Sequence, residues 1–149
     1  MKPIRTWVLI ADAARARVFE TMGKGTGLAM VPNMSLDAEL APSRTLGTDR
    51  PGRSFESVGS ARHALESPSD LHREQKRHFA RRIADAIEER HAAESFDRLV
   101  VVAPAVTMGD LRAALSEKVR AAVITELVAD LTNTPVSELP AHLSAHVTL

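Results

Sequence analysis

Residues 96–103 of this 149-residue chain read FDRLVVVA, and they decide the fold class. The four apolar residues at 99–102 are typical of a strand buried on both faces, as the central strands of parallel sheets are. Pro104 ends the run, and Thr107 and Asp110 then have the spacing of a capping box at a helix start. A buried strand followed directly by a helix indicates an α/β fold.

The first part of the chain carries the other strands of the expected sheet. Residues 4–11, IRTWVLIA, show little alternation and predict another buried strand, while residues 16–20 alternate and predict its hairpin partner. The glycine cluster at 23–27 predicts a turn, and residues 28–34 predict a strand that completes an antiparallel meander. We therefore expect a single domain over residues 1–149, with a mixed sheet of about five strands and flanking helices. The first and fourth strands are expected to be central and parallel.

A long polar stretch at about 41–69 separates this meander from a predicted helix over residues 68–91. Loops longer than about 12–15 residues are uncommon in compact domains and are usually functional or disordered. The apolar stripe of the helix consists of Phe79, Ile83, Ala86 and Ile87. Extended backward, the line of this stripe meets Lys76 and His72, so the first two turns are expected to leave the core and project outward with the loop.

The C-terminal third contains one ambiguous segment. Residues 115, 119, 123 and 127 are apolar and keep helical spacing, yet residues 119–125 also fit a strand. Periodicity alone favours a helix over residues 119–131. Residues 132–135, TNTP, predict a turn that interrupts the secondary structure, and residues 135–146 predict a short terminal helix.

Composition limits the classes of function. The 19 basic and 19 acidic residues give a formal net charge of zero, so any affinity for nucleic acid must be local. Aromatic residues make up 3% of the chain, which leaves few platforms for base stacking. The absence of cysteine removes disulfides, thiolate nucleophiles and cysteine-based zinc sites. The apolar run near the N-terminus is too short for a signal peptide or a membrane span, so we expect a cytoplasmic protein without membrane insertion.

Basic residues predict one candidate binding surface. Arg73, Arg77 and Arg81 have i, i+4, i+8 spacing and share a face of the 68–91 helix. The expected nucleic-acid surface adds residues of the loop and the helix: Arg50, Arg53, Arg62 and Lys76. The same spacing also fits a solvated face that is held by salt bridges, and that alternative remains open.

A second candidate site lies where the first and fourth strands end. If these strands are parallel neighbours, ligands favour the crevice beyond their carboxyl ends. The expected crevice residues are Asp12, Arg15, Arg17, Thr107, Gly109 and Arg112. The helix start at Thr107 offers backbone N–H groups to an anion, with Arg15 or Arg112 as a clamp. Asp12 is a candidate general base, but it also fits a strand end that pairs with a local arginine.

The sequence favours a protein that is not an enzyme and that needs no cofactor. A pairing of a nucleophile with a base is not visible along the chain. His142 and His146 have i, i+4 spacing, which can bind a metal, but the intervening glutamate of the zinc-protease motif is missing. We therefore predict no metal site.

Several segments resemble the bacterial family of host attachment proteins. They are residues 7–19 (WVLIADAARARVF), 96–104 (FDRLVVVAP), 108–112 (MGDLR), 130–132 (DLT) and 139–143 (LPAHL). These segments span nearly the whole chain in the order found in that family. The resemblance implies a role connected with bacterial attachment to host cells.

The layout is also similar, more distantly, to the middle domain of archaeal and eukaryotic peptide chain release factors. That resemblance implies a strand within residues 121–129, and a loop and basic helix presented to RNA or to the ribosome. The release-factor loop carries a Gly-Gly-Gln motif, whereas the corresponding residues 43–72 have none, and Gln75 has no glycine beside it. Hydrolysis of peptidyl-tRNA is therefore not implied.

Three hypotheses follow. The first is a module that binds RNA or a ribosome-related partner through the basic loop and helix. The second is a protein-interaction or attachment factor whose loop folds on a partner surface. The third is a small hydrolase or nucleotide-binding enzyme that uses the Asp12/Arg112 crevice. A homodimer is also plausible, because a long loop can pack across a symmetric interface.

Overall fold

A computed structural model describes residues 3–21, 27–38 and 68–147. The elements in chain order are β1 (Thr6–Ala11), β2 (Arg15–Thr21), β3 (Leu28–Met30), β4 (Leu36–Asp37), α1 (Pro68–Ala92), β5 (Arg98–Ala103), α2 (Ala105–Ala114), α3 (Glu117–Ala122), β6 (Val123–Val128), a 3-10 turn (Val136–Glu138) and α4 (Leu139–Leu143). The predicted loop at 41–69 lies outside the described residues, apart from its overlap with the first turn of α1.

The strands form one mixed sheet, which confirms the predicted fold class. Five strands lie in the order β3-β2-β1-β5-β6, and β4 also pairs with β2. β1 is antiparallel to β2 and parallel to β5, with Val8 opposite Val100, and β6 continues the parallel set beside β5. The prediction that the first strand and the 96–103 strand are central and parallel is therefore correct.

Both faces of the central strands are covered, which explains why they do not alternate. On one face, Leu9 and Val101 belong to a core that includes residues of α1 and α2. On the other face, Val8 and Val100 pack in a smaller core with Leu139 and Leu143 of α4. Strands buried on both faces read as continuous apolar runs.

Helix α1 forms where the apolar spacing predicted it. Phe79, Ile83 and Ile87 are buried in the larger core. The expectation that the first two turns leave the molecule is only partly correct. Lys76 and Arg77 are exposed, but Arg73 forms an ion pair with Asp110 of α2. This contact is between helices, so the i, i+4 spacing within α1 does not reveal it.

The helix start after β5 differs from the prediction. Helix α2 begins at Ala105 with Pro104 as N-cap, and no side chain caps it. Thr107 is therefore a buried residue in the first turn rather than the cap. The extended backbone of Pro104 (φ −62°, ψ 161°) allows the chain to enter the helix as soon as β5 ends.

The ambiguous segment contains both structures, one after the other. Ser116 caps α3 by accepting a hydrogen bond from the Val119 N–H, and β6 follows directly from Val123. The periodicity prediction of a helix throughout is wrong, and the strand expected within 121–129 is present. Its exposed and half-buried residues alternate because β6 is the end strand of the described sheet.

Two other predicted elements are shorter in the structure than the sequence indicates. The strand predicted over 28–34 is β3 only and ends at Met30, because Asn33 adopts a left-handed conformation (φ 64°) that turns the chain; β4 follows beyond the predicted range. The terminal helix predicted over 135–146 is a 3-10 turn followed by the five-residue α4. None of the described helices is both long enough and apolar enough to cross a lipid bilayer.

Candidate functional site

The three arginines predicted to share a face of α1, Arg73, Arg77 and Arg81, have different surroundings in the structure. Arg73 donates two hydrogen bonds to Asp110 at 2.7 and 2.5 Å, and the Asp110 side chain is only 10% exposed. Arg77 binds Glu74 on its own helix at 2.6 Å. Arg81 is exposed and lines a shallow groove against α2. Two of the three predicted arginines are therefore held by carboxylates.

A positive charge remains on this part of α1 after these pairs are counted. Between positions 72 and 82 the sequence has five Lys or Arg residues and one acid, Glu74. Glu74 and Asp110 neutralise one arginine each. Among the described residues, Lys76, Arg81 and Arg82 have no ion pair, so three cations are left. The other predicted cations, Arg50, Arg53 and Arg62, lie outside the described residues.

Arg82 is partly engaged by other groups. Its guanidinium donates a hydrogen bond to the Asp37 carbonyl oxygen at 3.1 Å and lies 5.5 Å from the centre of the Phe79 ring. These contacts fix the side chain without neutralising its charge. Lys76 and Arg81 are the better candidates for contact with a partner, since both are exposed.

The predicted crevice is present at the carboxyl ends of β1 and β5. It has a volume of about 300 Å³ and is lined by Asp12, Ala13, Ala14, Lys76, Pro104, Val106 and Thr107. Lys76 belongs both to this crevice and to the basic segment of α1 at 72–82. Sequence reasoning placed Lys76 on the helix surface only, although its position on the backward extension of the apolar stripe indicated the sheet-facing side.

Asp12 organises the turn between β1 and β2. Its Oδ1 accepts hydrogen bonds from the N–H groups of Ala14 and Arg15, each at 2.8 Å, and its Oδ2 accepts one from the Thr132 hydroxyl at 2.8 Å. Burial raises the pKa of Asp12, but these hydrogen bonds and the Arg15 charge outweigh it and hold the pKa below its ordinary value. A carboxylate with a lowered pKa is a weak base, so Asp12 is a poor general base near neutral pH.

The lowered pKa predicts a pH dependence of stability. The folded-state pKa of Asp12 lies below the unfolded value of 3.8, so its ionised form stabilises the fold above that pH, and the contribution is lost as the pH falls through the folded pKa. We expect the stability gap between wild type and Asp12→Asn, which cannot titrate, to narrow below about pH 4. Thermal unfolding of both proteins across pH measures the gap. A gap of constant size down to about pH 3 would contradict this assignment.

Arg15 and Arg17 fasten the β1–β2 hairpin to the segment after β6. Arg15 donates a hydrogen bond to the Asn133 side chain at 3.2 Å. Arg17 donates to the carbonyl oxygens of Leu131 and Thr134, and burial together with the Arg15 charge lowers its pKa. Neither arginine lines the crevice. The role of residues 131–134 in holding this hairpin was missed, because no local spacing connects positions so far apart in sequence.

The structure places the remaining crevice candidates elsewhere on α2. Arg112 binds Glu126 of β6 at 2.5 Å, and Glu126 raises its pKa through the hydrogen bond and the opposite charge. Gly109 is exposed, with nothing within 4 Å of the position a Cβ would take. The structure therefore brings together Asp12, Thr107 and Lys76, but not Arg112. Within residues 3–21, 27–38 and 68–147, no group of three His, Asp or Glu side chains could hold a metal ion.

Comparisons with known proteins identify a family. A solved structure, the type II variant of the Aquifex aeolicus Ppx/GppA phosphatase, is similar at 14% sequence identity and a TM-score of 0.37; the match covers 85% of this chain and 36% of the phosphatase chain. The chain thus spans about a third of that relative. No curated protein matches the sequence. The family model described as "Protein required for attachment to host cells" matches residues 7–143. Because this match covers most of the sequence and most of the described fold, the chain belongs to that family of host attachment proteins.

Proposed function

We propose that this host attachment family protein is a non-catalytic binding module for RNA, free or within the ribosome. The observation that carries the proposal is the excess of three cations, Lys76, Arg81 and Arg82, between positions 72 and 82 of α1 after its two ion pairs are counted. A local excess of cations on a chain of zero net charge attracts a polyanion to that part of the molecule. The sequence layout predicts a likeness to the release-factor middle domain, and that prediction is the reason to propose RNA as the polyanion.

The contacts of Asp12 favour binding over catalysis. A general base works best with a pKa near the operating pH, whereas the hydrogen bonds to Asp12 hold the carboxylate in the hairpin turn and keep its pKa below the ordinary value. Attachment to host cells would then be an indirect consequence of a binding role. A protein partner at the same face is the alternative, and the experiment below separates it from RNA.

The test is a pull-down from lysate with tagged protein at about 50 mM and 200 mM salt. We expect wild type to retain RNA or ribosomal subunits at low salt, and Lys76→Glu/Arg81→Glu to lose them. The matched control is Lys118→Glu/Arg120→Glu, which reverses two exposed charges on α3. The start of α3 contacts α1 at Glu88, which lies twelve residues, or about 18 Å, along the helix from Lys76.

Loss of RNA in the first variant but not in the control, together with loss at high salt, supports the proposal. Equal retention by all three proteins would contradict it. Capture of proteins without RNA, unchanged by salt, would instead favour the interaction factor, because contacts with phosphates release counterions and must weaken as salt rises.

A further inference from the structure

The crevice beside Lys76 has backbone donors that have no partner within their own helix. Helix α2 is ten residues long, and its first intrahelical hydrogen bond is donated by the Met108 N–H to the Pro104 carbonyl oxygen at 2.8 Å. The N–H groups of Ala105, Val106 and Thr107 precede it and so have no intrahelical acceptor. No side chain caps this end of the helix. The helix dipole adds partial positive charge at the same place.

Thr107 is a second, independent feature of the same crevice. It is only 7% exposed, yet it lines the crevice with Pro104 and Val106. Among the described residues, its hydroxyl neither donates nor accepts a hydrogen bond. The hydroxyl oxygen is not among the buried side-chain atoms that lack a partner, so it reaches the open space of the crevice. An unpartnered hydroxyl beside three unpartnered N–H groups is an arrangement that suits an oxygen-rich anion.

The charges around the crevice favour an anion that Lys76 can reach. The Lys76 ammonium supplies a full positive charge with no ion pair among the described residues. Asp12 also lines the crevice; hydrogen bonds from the Ala14 and Arg15 N–H groups and the Thr132 hydroxyl hold its carboxylate in the hairpin turn, where the Arg15 charge opposes its own. The volume of about 300 Å³ equals roughly ten water molecules at about 30 Å³ each. That is ample room for a phosphate group.

We infer that this crevice binds one phosphate group of a nucleotide, held by the first turn of α2, the Thr107 hydroxyl and Lys76. The inference rests on the proposed function for the source of the phosphate, an RNA strand whose backbone continues over Arg81. A free mononucleotide offers the same chemistry. The crevice therefore gives a strand that binds the cations of α1 a defined anchoring point.

The experiment follows backbone amide NMR signals during titration with inorganic phosphate, AMP and a short 5′-phosphorylated single-stranded RNA. We expect the signals of Ala105, Val106 and Thr107 to move with all three probes. Thr107→Val keeps the shape of the side chain but removes the hydroxyl, and should weaken phosphate affinity about five- to tenfold. Lys76→Gln should weaken it by a similar factor, whereas Lys118→Gln, the control on α3, should leave it unchanged. A melting curve establishes that Thr107→Val is folded.

The outcomes separate this inference from the proposed function. Shifts at residues 105–107 that are weakened by both crevice variants support the phosphate site, and the strongest response to RNA or to AMP identifies the source. If RNA shifts only signals of α1 near Arg81, and no probe moves residues 105–107, the phosphate site is wrong while RNA binding survives. If phosphate and AMP move residues 105–107 but RNA has no effect on α1, the phosphate site stands and the proposed function fails.

Discussion

Replacing Phe79 by alanine is expected to lower the free energy of unfolding by about 3–5 kcal/mol. Phe79 is 2% exposed and belongs to the core that joins α1 to the sheet. Removing the ring deletes buried apolar surface and leaves a cavity that rigid neighbours only partly fill. Because α1 carries the candidate binding surface, this packing also holds that surface against the sheet.

Denaturant unfolding followed by Trp7 fluorescence measures this effect, since the indole is buried 4.8 Å from the Phe96 ring and donates a hydrogen bond to Glu20. The matched control is Leu71→Ala on the same helix, where the side chain is 47% exposed and the cost should stay within about 0.5 kcal/mol. Equal losses for the two variants, or a midpoint unchanged by Phe79→Ala, would contradict the packing described for α1.

Replacing Asp12 by alanine is expected to cost about 2–3 kcal/mol. The change removes three hydrogen bonds to a carboxylate, and water replaces it as the acceptor for the exposed N–H groups of Ala14 and Arg15. Thr132 loses its bond of 2.8 Å and keeps only a longer one of 3.2 Å to Asp130. The hairpin and the segment after β6 should therefore separate more easily.

Asp12→Asn is the informative control for this prediction. Asparagine keeps one oxygen acceptor and nearly the same shape, so we expect its cost to be about half that of alanine. Urea unfolding of the two variants gives both values. If Asp12→Ala retained wild-type stability, the structural role of the carboxylate would be contradicted. The hypothesis that Asp12 is a general base would then be favoured.

The central strands could be predicted from sequence because burial of both their faces requires an uninterrupted run of apolar residues. Residues 99–102 and 7–10 are apolar without interruption, and that pattern arises when both faces of a strand are covered. Helix α1 was predictable for a similar reason, since Phe79, Ile83 and Ile87 repeat at the helical period. The segment around Val123 was not, because a six-residue helix and a six-residue strand adjoin there and share one apolar series.

The candidate site was predictable only where it follows from topology. Asp12 and Thr107 come together because parallel neighbouring strands end at the same edge of the sheet. Arg73 forms its ion pair with Asp110, which lies 37 residues away in another helix. Spacing rules within one helix do not predict such a contact. Arg112 lies in the last turn of α2, where its side chain meets Glu126 instead of the crevice.

The measurement that tests the central claim most directly is the salt dependence of affinity for a single-stranded RNA, followed by fluorescence anisotropy. If three cations on α1 neutralise phosphates, the plot of log affinity against log salt should have a slope of about −2, and affinity should fall on the order of tenfold between about 50 and 200 mM salt. Lys76→Glu/Arg81→Glu should abolish this binding, whereas Lys118→Glu/Arg120→Glu should keep both the affinity and the slope. A wild-type affinity that does not change with salt, or an equal loss in both variants, would contradict RNA binding through α1.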